Sequence, residues 1–469
     1  MESLKIATSA AASPFFLAIS SILLLLIGIV RPLRDKTGYA ALIAALTAYF
    51  FLRYPNQDFA MFSGMAIISG QVVWLWKIIL AALSCTAFIS ISFRLQYPGI
   101  YYFLLFISSA GAMMAAAADN IFFAFIAAEI AVIPLYFLSA CRKGRQGLFA
   151  AYKFSASGMF FAAITMLGIA FLNYSCSSLS LRDLSQYGLP DGLALTGFIL
   201  FSAGFSFKML ALPFNLTFRD VYSYSPAAIS AYMAAAWSLS AIPVLYKVSC
   251  LFYSGPVHDF FSVLAIITVI SGAFFAFYGR DMRRIACGVM CMGTGFSLLA
   301  FGGTQTGEIA LLYHLPSYAA AVAGLFIFSF YFEREELSIP LSGLAGFSER
   351  HPIISLSAAI VLFSAVGLPP FGGFFAKFMI LFSLIKEGAF YTACAGCVSM
   401  FITCWCCIRI VSAVFFQNPI QDENAVSDRK GKNGDIPLSA GFAITAIAVF
   451  LAIYGIFSSY FLDRISKFI

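Results

Sequence analysis

Apolar runs close to the ~20 residues that a helix needs to cross a bilayer recur from one end of the chain to the other, broken by short polar segments. The short alternating segments of an outer-membrane barrel are missing from this pattern. The length criterion predicts about fourteen helical spans. The first runs from about Pro14 to Val30 and the second from Gly38 to Leu52; later spans centre near Ala82, Phe106, Ala128, Ala162, Gly204, Ala236, Ile267, Cys291, Val322, Val366, Val398 and Ile447. The N-terminus lacks a basic start and a small-residue cleavage pattern, so a signal peptide is not expected.

Composition agrees: 61% of residues are hydrophobic, 10% are charged, and the mean hydropathy is +0.92, values outside the range of a soluble globule. The fold class is therefore an all-α polytopic membrane protein. Lys and Arg gather in the odd-numbered loops, among them Arg31, Arg34, Lys36, Arg142, Lys143, Arg145, Arg280, Arg283 and Arg284. Even-numbered loops hold little more than Arg53, Arg182, Lys247 and Lys386. The positive-inside rule then makes the odd loops cytoplasmic and both termini external. The net charge of +7 is on this reading a topology signal and gives no support to a nucleic-acid partner.

Four ionisable residues interrupt otherwise oily stretches: Glu129 in FIAAEIAVIPLYFL, Lys153 in AAYKFSASGMFF, Lys208 in FSFKMLALPF and Lys377 in FGGFFAKFMILF. A charge at bilayer depth costs at least ~3 kcal/mol on the most lenient scale, so each requires a compensating environment and points to proton or ion movement. Plain structural readings stand beside this one. Glu129 and a lysine would fix helix packing by pairing, and Lys153, near the start of its span, would snorkel to the interface. Lys247 at the end of the eighth span is either an interface anchor or a stand-in for a central lysine, and His314 in LLYHLPSYAA is either a relay or a hydrogen-bonded core residue. Lys77, after Trp74 and Trp76, reads as an aromatic-belt anchor, and Asp119 as the cap of the fifth span.

Helix breakers lie beside two of these charges. Pro213 follows Lys208 by five residues, and Pro369 and Pro370 precede Lys377 by eight and seven. Each proline removes a donor and frees a carbonyl that lipid cannot satisfy, which suggests hydrated breaks. Two broken, lysine-bearing spans in corresponding places divide the chain into an N-terminal part (residues 1–98, three helices), two five-helix repeats (99–252 and 259–416), and a connector with a last helix (417–469). An odd number of helices per repeat inserts the second upside-down.

Of eleven cysteines, Cys394, Cys397, Cys404, Cys406 and Cys407 share one apolar span. With no second pair and three histidines in the whole chain, they read as small buried hydrophobes and not as a metal or haem site. Nucleotide, flavin and iron–sulfur motifs are missing too, so redox chemistry belongs to partners. The longest polar stretch, Asn418 to Pro437, reads as a cytoplasmic connector.

Five stretches together resemble the antiporter-like membrane subunits of respiratory complex I, and within them the subunit N branch: AAEIAVIPLYFLSA, GFSFKMLALPFNLTFRDVYSYSPAAISAY, YGRDMRRIACG, LSGLAGFSERHP and PPFGGFFAKF. The resemblance implies fourteen helices with two inverted repeats and broken helices 7 and 12. It also implies a place in a complex that couples NADH-driven quinone reduction to proton pumping, with FMN, iron–sulfur clusters and quinone held by other membrane and peripheral subunits. The implied proton pathway falls on Glu129, Lys153, Lys208 and Lys377. Where the family has a lysine on helix 8, this chain has Ser238; where a histidine is often found on helix 10, it has Gly293 or a neighbour. Alternatives are a subunit of a cation/proton antiporter or membrane-bound hydrogenase, and a structural subunit that no longer pumps. The expected location is a bacterial inner membrane.

Overall fold

The computed structural model describes residues 2–55, 57–93, 95–142, 144–184, 192–251, 255–301, 304–331, 341–417 and 438–468, with side chains from Ala12 onward. The first helices are α1 (Glu2–Ile29), α2 (Thr37–Phe51), α3 (Gly70–Ser90), α4 (Pro98–Ala117), α5 (Ile121–Ser139) and α6 (Arg145–Cys176). A broken span follows, α7 (Gly192–Met209) and α8 (Phe218–Tyr224), and then α9 (Ala227–Leu251), which contains a π-helical turn at Met233–Trp237. The second half comprises α10 (Pro256–Phe277), α11 (Met282–Leu299), α12 (Gln305–Phe330), the broken pair α13 (Pro352–Val366) and α14 (Gly372–Lys386), and α15 (Phe390–Phe415). The chain closes with α16 (Leu438–Ile456) and the short α17 (Ser458–Ser466).

Eleven of the described helices are individually long and apolar enough to cross a membrane. With α2, α11 and the broken pair α13/α14, these make the fourteen spans that the hydrophobic pattern predicts. Two inverted sets of five spans run from α4 to α9 and from α10 to α15, and the fourth span of each set is broken. Phe160, Ile43 and Phe401 are 61%, 63% and 80% exposed, which in a membrane bundle marks the lipid-facing surface.

Inside the bundle there is no water-driven collapse between helices, so small residues and interhelical hydrogen bonds hold the spans together. Trp76 donates from Nε1 to the Met113 carbonyl at 2.6 Å, Ser108 donates to the Ala131 carbonyl at 2.7 Å, and Ser109 shares a 2.7 Å hydrogen bond with the Tyr232 hydroxyl. The last span locks onto the second break. Tyr313 donates to the Tyr454 carbonyl at 2.8 Å, Tyr454 donates back to the Tyr313 carbonyl at 3.1 Å, and the rings stack at 4.5 Å. Next to Tyr454, a Cβ on Gly455 would sit 2.1 Å from the Pro370 carbonyl oxygen, a backbone atom that cannot swing aside. Gly455→Ala is therefore expected to destabilise the chain by about 1–3 kcal/mol as an overpacking change, seen as a lower midpoint of thermal unfolding in detergent.

Several expectations need correction. An antiparallel pair, Phe59–Met61 with Ala66–Ile68, which the span pattern does not predict, lies between α2 and α3. Its tight connection uses positive φ at Phe62, Ser63 and Gly64. Asp119 does not cap the fifth span. Asn120 does, its side chain accepting from the Phe122 and Phe123 amides at 2.9 and 3.1 Å, one residue closer to the helix than Asp119. Of the clustered cysteines, Cys406 and Cys407 are buried, but Cys394 and Cys397 are exposed on the apolar outside of α15. The connector Asn418 to Pro437 lies outside the described residues.

Candidate functional site

The fourth span of the first set ends a helix at Met209 because Leu210 adopts positive φ (72°) and Pro213 follows shortly after. Lys208 thus sits in the last turn of α7, where unpaired carbonyls favour a cation. Polar groups gather around the break. The Ala211 amide donates to the Ser206 carbonyl at 2.9 Å, Asn215 donates from Nδ2 to the Phe207 carbonyl at 2.9 Å, and Thr268 on α10 accepts from the Leu212 amide at 3.1 Å. From this turn the Lys208 side chain, 3% exposed, reaches α5 and donates from Nζ to Glu129 Oε1 at 2.6 Å. Glu129 is 19% exposed, so the pair is a largely buried, charge-assisted hydrogen bond.

Lys153 does not compete for Glu129. It pairs with Asp220 on α8, with both side chains part-exposed, and its ammonium also lies 4.5 Å from the Phe149 ring. Asp220 was missed in the sequence although it stands in the quoted stretch LTFRDVYSYSP; its only signal was a carboxylate just past a break, on the same span as Lys208.

Lys377 answers the second break differently. At the end of α13, Gly367 takes φ +96° and its amide donates to the Phe363 and Ser364 carbonyls, leaving those of Ala365 and Val366 without helical donors. Lys377 donates to both, at 2.6 and 2.9 Å. Its stem passes within 3.0 Å of the position a Gly367 Cβ would occupy, and the Phe296 ring lies 4.9 Å from the ammonium. No carboxylate pairs with it among the described residues; carbonyl dipoles and a ring face take that role.

A polar seam borders Lys377. His314 makes a 3.1 Å hydrogen bond through Nε2 with the Gly293 carbonyl, and its ring stacks 5.6 Å from Tyr318. Tyr318 was not singled out in the sequence. A Cβ on Gly293 would fall 2.4 Å from its Cδ2, so the Tyr318 ring occupies the space that a side chain at 293 would need. Its hydroxyl is buried, and Ser238, which follows the π-helical turn of α9, donates to the Ala234 carbonyl at 2.5 Å. His314, Tyr318 and Lys377 border one cavity of about 10 Å³, room for about a single water. Among the described residues, Ser202 Oγ, Tyr222 Oη, Trp237 Nε1 and His314 Nδ1 are buried polar atoms with no protein partner, and such groups are ordinarily satisfied by water.

Lys247 is not brought to Ser238. It is half-buried at the end of α9, donating to the Ala118 carbonyl at 2.8 Å and lying 3.4 Å from Asp119, which also faces Arg182 at 3.4 Å.

A family model described as NADH:quinone oxidoreductase/Mrp antiporter, TM matches residues 118–403. The chain belongs to this family. The matched segment contains Glu129, Lys153, Lys208 and Lys377, together with both helix breaks. Among curated relatives in this antiporter family, the chain is 25% identical to NADH-quinone oxidoreductase subunit N of Parvibaculum lavamentivorans, covering 85% of this chain and 86% of that protein. It is 28% identical to the subunit N of Gluconacetobacter diazotrophicus over 78% and 77%. Among solved structures, a chain of respiratory complex I from Thermus thermophilus superposes with a TM-score of 0.82 at 24% identity, covering 96% and 98%. A chain of the Mrp complex from a Dietzia species does so with 0.80 at 16% identity, covering 100% and 97%.

Proposed function

We propose that this chain is the subunit N-type membrane subunit of a NADH:quinone oxidoreductase, and that it moves protons across the membrane while quinone is reduced elsewhere in the assembly. The observation that carries the reading is the Glu129–Lys208 pair at one helix break, together with a second buried lysine at the matching break. A carboxylate and an ammonium in contact hold each other charged; drawn apart in a desolvated site, the carboxylate gains a proton and the ammonium loses one. A change in the spacing between α5 and the end of α7 therefore moves protons. Lys153 on α6 and Asp220 on α8 form a part-exposed pair and supply the entry. The seam of Ser238, Tyr318 and His314, with its unpaired polar atoms, leads on to Lys377.

The repeats then run over residues 99–252 and 259–416, and Lys247 belongs to the structure around Asp119 and not to the path. FMN, iron–sulfur clusters and the quinone site belong to partner subunits, and the chain lies in a bacterial inner membrane with both termini on the periplasmic side. By itself it catalyses no redox step.

The test is affinity purification of the intact assembly and its reconstitution into vesicles. NADH-dependent quinone reduction accompanied by proton translocation is expected, with Glu129→Gln lowering the ratio of protons moved to electrons transferred. An unchanged ratio in an assembly that still reduces quinone would rule out Glu129. A second reading, a subunit of a cation/proton antiporter, is favoured by the likeness to the Mrp fold. It predicts sodium-dependent proton exchange and copurification without flavin.

A further inference from the structure

The helices α2, α3, α12, α16 and α17 surround a cavity of about 950 Å³. Its walls are oily: Leu46, Ile78, Ala320, Phe442, Ala446 and Ile447 are among the residues that line it. That volume stands at the top of the ~300–1,000 Å³ range of small-molecule sites and is wide enough for hydrocarbon chains.

The mouth has the opposite character. Arg53, Lys77 and Arg464, from three separate segments of the chain, open onto the same cavity. Lys77 lies 4.1 Å above the Tyr54 ring, and Arg464 is close enough to act electrostatically on both Lys77 and Tyr54. Among the described residues none of the three cations has a carboxylate within ion-pair distance; Arg464 reaches only the Tyr460 hydroxyl, at 3.4 Å. Like charges held together without a counter-charge repel, so their convergence points to an anion that belongs between them.

Two further observations make the mouth a built structure. Trp74 is fixed by a 3.1 Å hydrogen bond to the Leu312 carbonyl, and Phe468 stacks on Tyr54 at 4.9 Å, so the aromatic rim is pinned to α12 and to the end of α17. Aromatic and cationic side chains at one level are the signature of the headgroup region. These cations also sit on the membrane face that the loop pattern leaves nearly free of positive charge, and so are not accounted for by topology.

We infer that this cavity binds an anionic diacyl phospholipid, its phosphate held by Arg53, Lys77 and Arg464 and its acyl chains lying along α3, α12 and α16. The site would brace the last span, which itself clamps the second helix break through Tyr313 and Tyr454.

Native mass spectrometry of the full chain in detergent, titrated with dioleoyl phosphatidylglycerol or dioleoyl phosphatidylcholine, tests this. The anionic lipid is expected to bind about tenfold or more tighter. The triple variant Arg53→Gln/Lys77→Gln/Arg464→Gln is expected to reduce it to the level of phosphatidylcholine. Ala446→Trp, which fills the slot from an exposed position, is expected to weaken both lipids. Millimolar inorganic phosphate should leave the lipid bound. Equal binding of the two lipids, a preference that survives the triple variant, full binding to a folded Ala446→Trp chain, or displacement by phosphate alone would each overturn the inference. The experiment involves no transport, so it stands or falls separately from the proton path.

Discussion

Lys208→Met is expected to lower stability by several kcal/mol, toward the lower part of the ~3–5 kcal/mol seen when one member of a buried ion pair is removed, because Glu129 keeps 19% exposure and some access to solvation. Adding Glu129→Gln should recover most of that loss, since the greater part of the penalty comes from the stranded carboxylate and not from the missing attraction. Unfolding of the single and double variants in mixed micelles measures the coupling. Equal stability of Lys208→Met and the double variant would mean that the stranded carboxylate carries no penalty and would overturn this account. Proton translocation behaves differently: it is expected to be lost in both, because neither retains a carboxylate and an ammonium that can exchange partners. Stability recovered without recovered transport separates a working pair from one that only fixes helix packing.

Hydrophobic run length and a few misplaced charges made much of this molecule legible. Fourteen spans follow from apolar stretches of bilayer length, and the two breaks follow from prolines near buried lysines. The pairing of Lys208 with Glu129 was open in the sequence, since Lys153 was an equal candidate by residue type. The choice is made by α8, whose Asp220 takes Lys153 away. Such a partner is set by how two helices face each other, which spacing along one chain does not encode. The same limit hid Tyr318. A tyrosine in an apolar span is ordinary core until the glycine opposite it, 25 residues earlier, is seen to leave it room. Asp119 shows the reverse error: its residue type suits a cap, but the adjacent Asn120 has the extended backbone and the reach.

The two broken spans solve one problem in two ways. Each places a lysine beside the end of a helix, but among the described residues Lys377 donates to freed carbonyls and Lys208 to a carboxylate. The ammonium of Lys208 is therefore held by a charge that can itself be protonated, whereas Lys377 is held by dipoles that cannot. In a relay this makes the first site responsive to movement of α5 and the second a fixed acceptor, with the Tyr318–His314 seam bordering Lys377.

That difference sets the expected behaviour of variants at Lys377. Lys377→Met removes the donor to the Ala365 and Val366 carbonyls, at roughly 1–3 kcal/mol for each buried acceptor left unpaired, but it also relieves the desolvation of an ammonium, and the thioether fills the stem's space. The opposing contributions leave a net change within about 2 kcal/mol. Lys377→Arg is the sharper test. A guanidinium keeps its charge throughout and can donate to both carbonyls, so the break should stay satisfied and the fold stable. It does not release its proton under any physiological condition, so a path that needs residue 377 to change protonation should stop. The expected result is an assembly that reduces quinone, unfolds close to the parent temperature and translocates fewer protons per electron pair. Full translocation by Lys377→Arg would restrict the role of Lys377 to stabilising the broken helix and would leave the Tyr318–His314 seam without its acceptor.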